Sequence, residues 1–255
     1  MKNLNGVAAI VTGGGSGLGA ATARDLAEAG CSVSLWDMDS EAAQSVAADI
    51  GGFAVSCDVT SAQSVTEALR ISQAEHGVAR ILVNCAGILC GQRIVGKDGP
   101  ADLDVFNQVI QVNLLGTFNT MRLVADAMSS LDIVTGSGER GIIINTASIA
   151  AFEGQIGQAA YAASKGGVVA MTLPAARELA RFGIRVMAIA PGAVATPMMN
   201  DLSEEIKDSI TATIPFPPRF AQPQEFSSLV MHIIENEMLN GEVIRLDGAS
   251  RLAAK

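Results

Sequence analysis

Short apolar segments that alternate with longer helical patterns constrain the fold of this chain more than any other feature. The strand candidates are VAAIVT (7–12), SVSLWD (32–37), FAVSCD (53–58), RILVNCA (80–86), GIIINTAS (141–148), IRVMAIA (184–190) and EVIRLD (242–247). Most are apolar nearly throughout, which is typical of strands that are covered on both faces of a parallel sheet. Helical patterns lie near 17–30, 40–50, 61–76, 103–130, 158–182 and 222–236.

This alternation predicts the fold class. Repeated strand–helix–strand units imply right-handed crossovers, so we expect an α/β Rossmann fold: a doubly wound, seven-stranded parallel sheet with helices on both faces. The chain has no internal repeat, low-complexity tract or linker, and we therefore expect residues 1–255 to form a single domain. Ser40 and Ser61 are expected to cap the helices that follow them.

Two segments are longer than ordinary connections between elements. Residues 90–103 are interpreted either as a functional loop or as a solvated surface loop. Residues 194–220 mix Met198, Met199 and Phe216 with prolines and acidic side chains, which favours a lid over an apolar substrate. The alternative for this segment is a helical hairpin that packs on the core.

Composition and charge exclude several classes of partner. Hydrophobic residues make up 49% of the chain and charged residues 17%, which indicates a well-buried core. The formal net charge is −9 and the basic residues do not cluster, so nucleic acid and anionic membranes are poor partners. No apolar run approaches the length of a membrane span. The first strand candidate begins too early for a signal or transit peptide, and we expect a cytoplasmic protein.

The cysteines and histidines give no metal pattern. Cys31, Cys57, Cys85 and Cys90 form no C-x-x-C pair, and they are expected to be reduced, mostly buried thiols. The chain has 2 histidines, which lie far apart in the sequence. We expect no metal site.

A glycine-rich turn follows the first strand candidate. TGGGSGLG (12–19) lies between a strand and a helix, where glycines allow a tight turn and a close approach of backbone N–H groups to a pyrophosphate. Gly13, Gly17 and Gly19 are the key positions. The turn lacks Gly-Lys-Ser/Thr, which disfavours a P-loop ATPase. We therefore predict that the chain binds a dinucleotide.

The second and third strand candidates end on acidic residues. Asp37 lies 18 residues after Gly19, where a carboxylate hydrogen-bonds the adenosine ribose and repels a 2′-phosphate. No basic residue stands beside Asp37, so we predict NAD rather than NADP as the cofactor. The alternative is that Asp37 is only a turn residue. Asp58 and Val59 follow the third strand candidate and are expected to contact the adenine.

Tyr161 is the only tyrosine in the chain, and Lys165 stands four residues after it on a predicted helix, so the two side chains share a face. A phenol has a pKa of about 10. Lowering it by about three units requires roughly 4 kcal/mol, which a positive charge about 4 Å away supplies at an effective dielectric near 20. We therefore expect Lys165, helped by an oxidised nicotinamide, to make the phenol a useful base.

Further residues complete a family pattern. Ser148 ends the fifth strand candidate, at the edge where ligands bind in such sheets, and Asn113 lies in QVNLLGTF. Together with the glycine turn, NCAG (84–87) and the Tyr161/Lys165 pair, these residues resemble the short-chain dehydrogenase/reductase family over essentially the whole chain.

Three longer stretches narrow this resemblance. INTASIAAFEGQIGQAAYAASKGG, GIRVMAIAPG and LNGEVIRLDGA are similar to the NAD-dependent short-chain 3-hydroxyacyl-CoA dehydrogenase branch, also known as a 17β-hydroxysteroid dehydrogenase branch. Cys85 and Ala249 depart from the generic family pattern, and the branch is similar at both positions.

The resemblance implies a role for each catalytic residue. Tyr161 is the general base that takes the proton of the substrate hydroxyl. Lys165 lowers the pKa of the phenol and hydrogen-bonds the nicotinamide ribose. Ser148 holds the substrate oxygen, and Asn113 holds, through its backbone, a water that links Lys165 to solvent. Gln155 is expected to contact the substrate.

The resemblance also implies a cofactor-binding set, a reaction and an assembly. The cofactor-binding residues are Gly13, Ser16, Gly17, Leu18, Gly19, Asp37, Asp58, Val59, Asn84, Ala86, Gly87, Tyr161, Lys165, Pro191, Gly192, Val194 and Thr196. The expected reaction is the NAD-dependent conversion of (S)-3-hydroxyacyl-CoA to 3-ketoacyl-CoA, with Arg93, Lys97 and Arg219 as candidate contacts of the CoA phosphates. The helices at 103–130 and 158–182 imply a homotetramer. Two alternatives stay open: the same chemistry on a steroid, another secondary alcohol or a carrier-bound ketoacyl group, and a non-catalytic NAD-binding subunit.

Overall fold

The computed structural model of the protein describes residues 1–200 and 203–254. The strands in this part of the chain are β1 (Ala8–Thr12), β2 (Ser32–Asp37), β3 (Phe53–Ser56), β4 (Ile81–Asn84), β5 (Val95–Gly96), β6 (Gly99–Pro100), β7 (Gly141–Thr146), β8 (Ile184–Pro191) and β9 (Val243–Leu246). Seven of them form one sheet in the order β3-β2-β1-β4-β7-β8-β9, and every pairing in it is parallel. The predicted doubly wound Rossmann sheet is therefore confirmed. β5 and β6 form a small antiparallel hairpin inside the 90–103 segment.

The helices flank this sheet. In the described residues they are α1 (Gly17–Glu28), α2 (Ser40–Ile50), α3 (Ala62–His76), α4 (Leu103–Ile110), α5 (Thr117–Ser129), α6 (Ala159–Leu179), α7 (Pro197–Asn200), α8 (Glu204–Thr211) and α9 (Pro223–Glu235). A π-helical turn, Gln111–Gly116, joins α4 to α5, and 3-10 turns span Ile149–Ala151 and Ala180–Phe182. Each of these helices is too short or too polar to cross a membrane.

The two predicted helix caps have different outcomes. Ser61 caps α3 as expected, because its hydroxyl accepts a hydrogen bond from the Ser64 N–H at 3.2 Å. The prediction for Ser40 is wrong, since Ser40 is already the first residue of α2. The cap is Asp39, whose carboxylate accepts from the Ala42 N–H at 3.0 Å. A carboxylate at this position also interacts favourably with the helix dipole.

The sheet has a core layer on each face, because alternate residues of its strands point to opposite sides. Ile142 and Ile144 of β7 pack with α1, α2 and α9. Ile143, between them, packs with α3, α5 and α6 on the other face. All six residues of β7 are buried, which explains why the strand has a continuous apolar run instead of an alternating pattern.

The topology brings several strand ends together. β1 lies beside β2 on one side and β4 on the other, so the order of strands reverses at β1. In open α/β sheets, ligands bind at the carboxyl ends of the strands around such a switch point. Thr12, Asn84 and Thr146 end β1, β4 and β7 at this edge.

Candidate active site

The glycine turn between β1 and α1 is packed too tightly for side chains at its key positions. Gly13 has φ 64°, and a Cβ there would lie 2.8 Å from the Ala86 nitrogen. A Cβ on Gly19 would overlap the carbonyl oxygen of Gly13. Gly17 also has a positive φ, of 50°. The turn therefore needs glycine for close backbone packing, as the sequence predicts.

The start of α1 presents its first N–H groups at the sheet edge. Exposed Ser16 precedes the helix in an extended conformation, and its side chain makes no capping hydrogen bond. The first N–H groups of a helix have no partner within the helix and carry a positive partial charge. Leu18 packs against the core, and this contact fixes the position of the first turn of α1 and of its N–H groups. This arrangement fits a phosphate group.

Asp37 is tied directly to the glycine turn. Its Oδ2 accepts a hydrogen bond from the Gly15 N–H at 2.9 Å, and its Oδ1 accepts from the Asp39 N–H at 3.0 Å. Each carboxylate oxygen still has a free lone pair for a ligand hydroxyl. The structure thus makes Asp37 both a turn residue and a carboxylate at the edge of the glycine turn.

Asp58 and Val59 lie further along the same edge. Asp58 Oδ1 accepts hydrogen bonds from the N–H and the hydroxyl of Thr60, at 2.9 and 2.7 Å. Val59 is buried, and its carbonyl accepts from the Asn119 amide at 2.9 Å. Both residues are fixed by contacts within the protein.

A buried polar network that the sequence analysis missed orders the NCAG segment. The Thr12 hydroxyl oxygen accepts hydrogen bonds from the N–H groups of Cys85 and Ala86, each at 3.1 Å. The Asn84 amide donates to Asn145 Oδ1 at 2.9 Å, and its Oδ1 accepts from the Thr120 hydroxyl at 2.8 Å. In the sequence, this network is indicated only by the polar residue near the end of each otherwise apolar strand.

Asn113 lies within the π-helical turn and is fully buried. Its amide donates to the Ile88 carbonyl at 2.9 Å and to Ser164 Oγ at 3.1 Å, and its Oδ1 accepts from the Ile88 N–H at 2.8 Å. The backbone carbonyl of Asn113 accepts from the Thr117 hydroxyl at 2.8 Å. This carbonyl is the atom expected to hold the water.

Tyr161 and Lys165 share a face of α6, next to Ser148. Lys165 is only 4% exposed, and its Nζ lies 5.8 Å from the centroid of the Tyr161 ring. The ammonium donates a hydrogen bond to the Thr146 carbonyl at 2.8 Å. A Cβ on Gly87 would lie 3.5 Å from Nζ, so this glycine leaves room beside the lysine.

The pKa values in this cluster differ from the expectation that Lys165 lowers the pKa of the phenol. Burial raises the pKa of Tyr161, and the interaction that opposes this rise is a hydrogen bond with Ser148. Burial also lowers the pKa of Lys165, from an ordinary value of 10.5 to about 8. The physical reason is that both groups lose hydration in the same apolar environment, which disfavours the charged form of each.

The segment after β8 closes over the start of α1. Thr196 lies beside Gly17, and a Cβ on Gly17 would be 3.3 Å from the Thr196 methyl group. Gly192 donates its N–H to the Leu246 carbonyl at 2.9 Å. Pro191 and Val194 are buried on either side of it. The structure thus brings the first and last parts of the expected cofactor set together.

Gln155 and Arg219 have partners within the chain. The Gln155 amide donates to the Ala253 carbonyl at 3.2 Å, a contact that the sequence analysis did not foresee. Arg219 makes a bidentate pair with Glu225, at 2.7 and 2.8 Å, so its guanidinium is already engaged. The side chain of Met198, expected in the lid, lies outside the described residues.

Comparisons with known proteins show the family of the chain and agree with its fold. Residues 7–207 match the short chain dehydrogenase family. The chain is 48% identical to human 3-hydroxyacyl-CoA dehydrogenase type-2, over 98% of this chain and 97% of the relative.

Two solved structures are also similar. A crystal structure of 3-hydroxyacyl-CoA dehydrogenase type-2 from Mycobacterium avium superposes with a TM-score of 0.95, with 43% identity over 100% of both chains. A 3-ketoacyl-(acyl-carrier-protein) reductase from Brucella melitensis, complexed with NADH, has a TM-score of 0.85 and 27% identity, over 98% of this chain and 100% of the other.

Proposed function

Because this chain belongs to the short-chain dehydrogenase family, we propose that it oxidises a secondary alcohol with NAD, and that its substrate is an (S)-3-hydroxyacyl-CoA. The observation that carries the proposal is the convergence of Ser148, Tyr161, Lys165 and Asn113 beside the carboxyl ends of the sheet. The acyl-CoA substrate is supported by the relatives named as 3-hydroxyacyl-CoA dehydrogenases, which match over nearly the full length.

The cofactor proposal is supported by the shape of the turn. Gly13 lets the turn pack directly against the Ala86 backbone, Gly87 leaves room beside Lys165, and the start of α1 offers uncapped N–H groups for the pyrophosphate. Asp37 is proposed to accept hydrogen bonds from the ribose hydroxyls, and its charge opposes a 2′-phosphate. The remaining residues of the expected cofactor-binding set are proposed to surround the nucleotide along the same edge.

The proposed proton acceptor is Tyr161 Oη. Ser148 lies beside the phenol, where it lowers the pKa of Tyr161, and it is proposed to hold the substrate oxygen so that the hydroxyl proton faces Oη. When bound, NAD⁺ accepts the hydride and brings a positive charge into this buried site. That charge favours the phenolate, which the burial of Tyr161 alone disfavours.

Lys165 and Asn113 are proposed to carry the proton of the substrate hydroxyl from Tyr161 towards solvent. Because the pKa of Lys165 is about 8, its side chain can both release and accept a proton near neutral pH. Its Nζ is held by the Thr146 carbonyl, and the Asn113 amide is anchored to Ser164, the residue before Lys165. These contacts fix the lysine relative to the phenol and the carbonyl of Asn113.

The substrate mouth is proposed to lie between Gln155 and the lid at 194–220. Exposed apolar residues in this area, Ile156, Ile206 and Phe216, suit an acyl chain. Arg93 and Lys97 remain proposed contacts of the CoA phosphates, whereas Arg219 would first have to leave Glu225.

The test of this function is the rate of NADH formation. The protein is assayed with (S)- and (R)-3-hydroxyacyl-CoAs of several chain lengths, a steroid alcohol and simple secondary alcohols, each with NAD and with NADP. Preferred turnover of an (S)-3-hydroxyacyl-CoA with NAD is the expected result. Activity confined to alcohols without CoA would overturn the substrate assignment, and NADH formation from none of them would overturn the reaction.

We also propose that the protein is a cytoplasmic homotetramer. Apolar side chains are exposed on the outer faces of the long helices and the π-helical turn between them: Leu103, Phe106, Leu115, Phe118 and Leu173. Such a patch is typical of a subunit interface. The four free cysteines agree with a reducing compartment. A solution mass of a monomer, measured by light scattering, would contradict the assembly.

A further inference from the structure

The end of β9 and the residues that follow it contact the loop that joins Ser148 to α6. We call residues 245–254 the C-terminal segment and residues 152–158 the Gln155 loop. This loop links the 3-10 turn that begins after Ser148 to the helix that carries Tyr161. Its position therefore affects the distance between the two proposed catalytic side chains.

Arg245 makes the strongest contact between the two segments. Its guanidinium donates two hydrogen bonds to the Glu153 carboxylate, at 2.8 and 3.0 Å, and lies 5.4 Å from the centroid of the Phe152 ring. The Arg245 and Glu153 side chains are only 22% and 25% exposed. A partly buried bidentate pair of this kind holds both partners in one geometry better than a surface ion pair does.

Backbone contacts extend the attachment along the loop. The Ile156 N–H donates to the Ala254 carbonyl at 2.9 Å, and the Gln155 amide donates to the Ala253 carbonyl. Arg245 also donates to the Ser250 carbonyl at 3.0 Å, which links this stretch to the Glu153 pair. The side chain proposed to contact the substrate is thus oriented by the C-terminal segment.

The same segment contacts the base of the lid. The Ser250 hydroxyl lies 3.4 Å from the Thr213 hydroxyl, and the Phe216 N–H donates to the Gly248 carbonyl at 3.3 Å. Ser250 is 3% exposed. The C-terminal segment therefore connects both walls of the proposed substrate mouth, the Gln155 loop on one side and the end of the lid on the other.

We infer that Arg245 is a positioning residue, which holds the Gln155 loop through Glu153 so that Gln155 meets the acyl substrate. This inference rests on the proposed dehydrogenase function. Arg245 touches neither the phenol nor the glycine turn, so its loss acts on substrate placement and leaves NADH binding intact. A displacement of about 1 Å in a positioning group can cost on the order of a hundredfold in rate.

The test compares Arg245→Gln and Glu153→Gln with Arg70→Gln, which breaks the exposed Glu67–Arg70 pair. We expect Arg245→Gln to lower kcat/KM for the acyl substrate at least tenfold, mainly through KM. Glu153→Gln should act in the same direction by at least threefold. Because both act on one contact, the double variant should lose no more than Arg245→Gln. The Kd for NADH should stay within twofold, and Arg70→Gln should match the parent.

Two results would overturn the inference. One is a kcat/KM within twofold of the parent in both variants, and the other is an equal loss of NADH affinity, which indicates general damage. Failure of the proposed function shows instead in the parent, as inactivity on every 3-hydroxyacyl-CoA. In that case amide hydrogen exchange decides: faster exchange at residues 152–158 in Glu153→Gln, but not in Arg70→Gln, supports the positioning role, and unchanged exchange rejects it.

Discussion

Gly19 faces the carbonyl oxygen of Gly13 so closely that no side chain fits between them. The contact joins the first turn of α1 to the end of β1, and it fixes the path of the backbone at the proposed pyrophosphate site. We predict that Gly19→Ala lowers NADH affinity at least tenfold and also destabilises the fold, because the added Cβ must displace backbone atoms.

The matched control is Gly136→Ala. This glycine has open space around its Cβ position and no positive φ, so alanine should be tolerated. NADH titration and urea unfolding of the two variants check the prediction. Wild-type NADH affinity in Gly19→Ala would show that the close approach does not matter for the cofactor.

Tyr161→Phe removes the proposed proton acceptor and keeps the ring. We expect kcat to fall by about 10²–10⁴-fold, the usual contribution of a positioned acid or base. NADH binding should change little, because the phenol is one of many contacts along the edge. Stopped-flow and steady-state assays check both quantities, and a variant that turns over at the parental rate contradicts the role given to Tyr161.

Asp37→Ser tests the choice between NAD and NADP. Serine removes the negative charge that opposes a 2′-phosphate, so the ratio of kcat/KM for NADP to that for NAD should rise at least tenfold. The Gly15 N–H also loses its partner, so we expect weaker binding of NAD itself.

Asp39→Asn is the control, since it removes a nearby charge while asparagine can still cap α2. Its cofactor preference should match that of the parent. An unchanged preference in Asp37→Ser would assign the selectivity to other residues.

Lys165→Met should stabilise the fold at pH 7 while it abolishes activity. The folded state holds the pKa of Lys165 at about 8, below its ordinary 10.5, so at neutral pH the buried ammonium costs up to about 3 kcal/mol. The unfolded chain binds more protons than the folded one between pH 8 and 10.5. The stability of the parent should therefore rise relative to the variant across that window.

Urea unfolding at pH 7 and pH 9.5 measures this difference. The lost hydrogen bond to the Thr146 carbonyl reduces the gain, but it does not depend on pH. A gap between the variant and the parent that stays constant from pH 7 to 9.5 would rule out the depressed pKa.

The sequence predicted the features that depend on local pattern. The apolar runs gave the parallel sheet, and the glycine spacing gave the turn at Gly13, because both follow from neighbouring residues. The contact of Gln155 with Ala253 could not be predicted, since it joins residues that are 98 positions apart. The rise in the pKa of Tyr161 was missed because burial depends on the whole fold, whereas its spacing from Lys165 is visible in the chain.

The π-helical turn at Gln111–Gly116 sets the orientation of α4 relative to α5, which continue directly from its two ends. A π turn holds one residue more than an α turn, so everything before it is rotated by about 100° relative to everything after it. Deleting one residue between 111 and 116 would allow a continuous α-helix to form. The Asn113 amide would then no longer reach Ile88, and Phe106 would be rotated to a different face of the helix. A single extra residue thus sets both the chemistry inside the protein and the apolar face outside it.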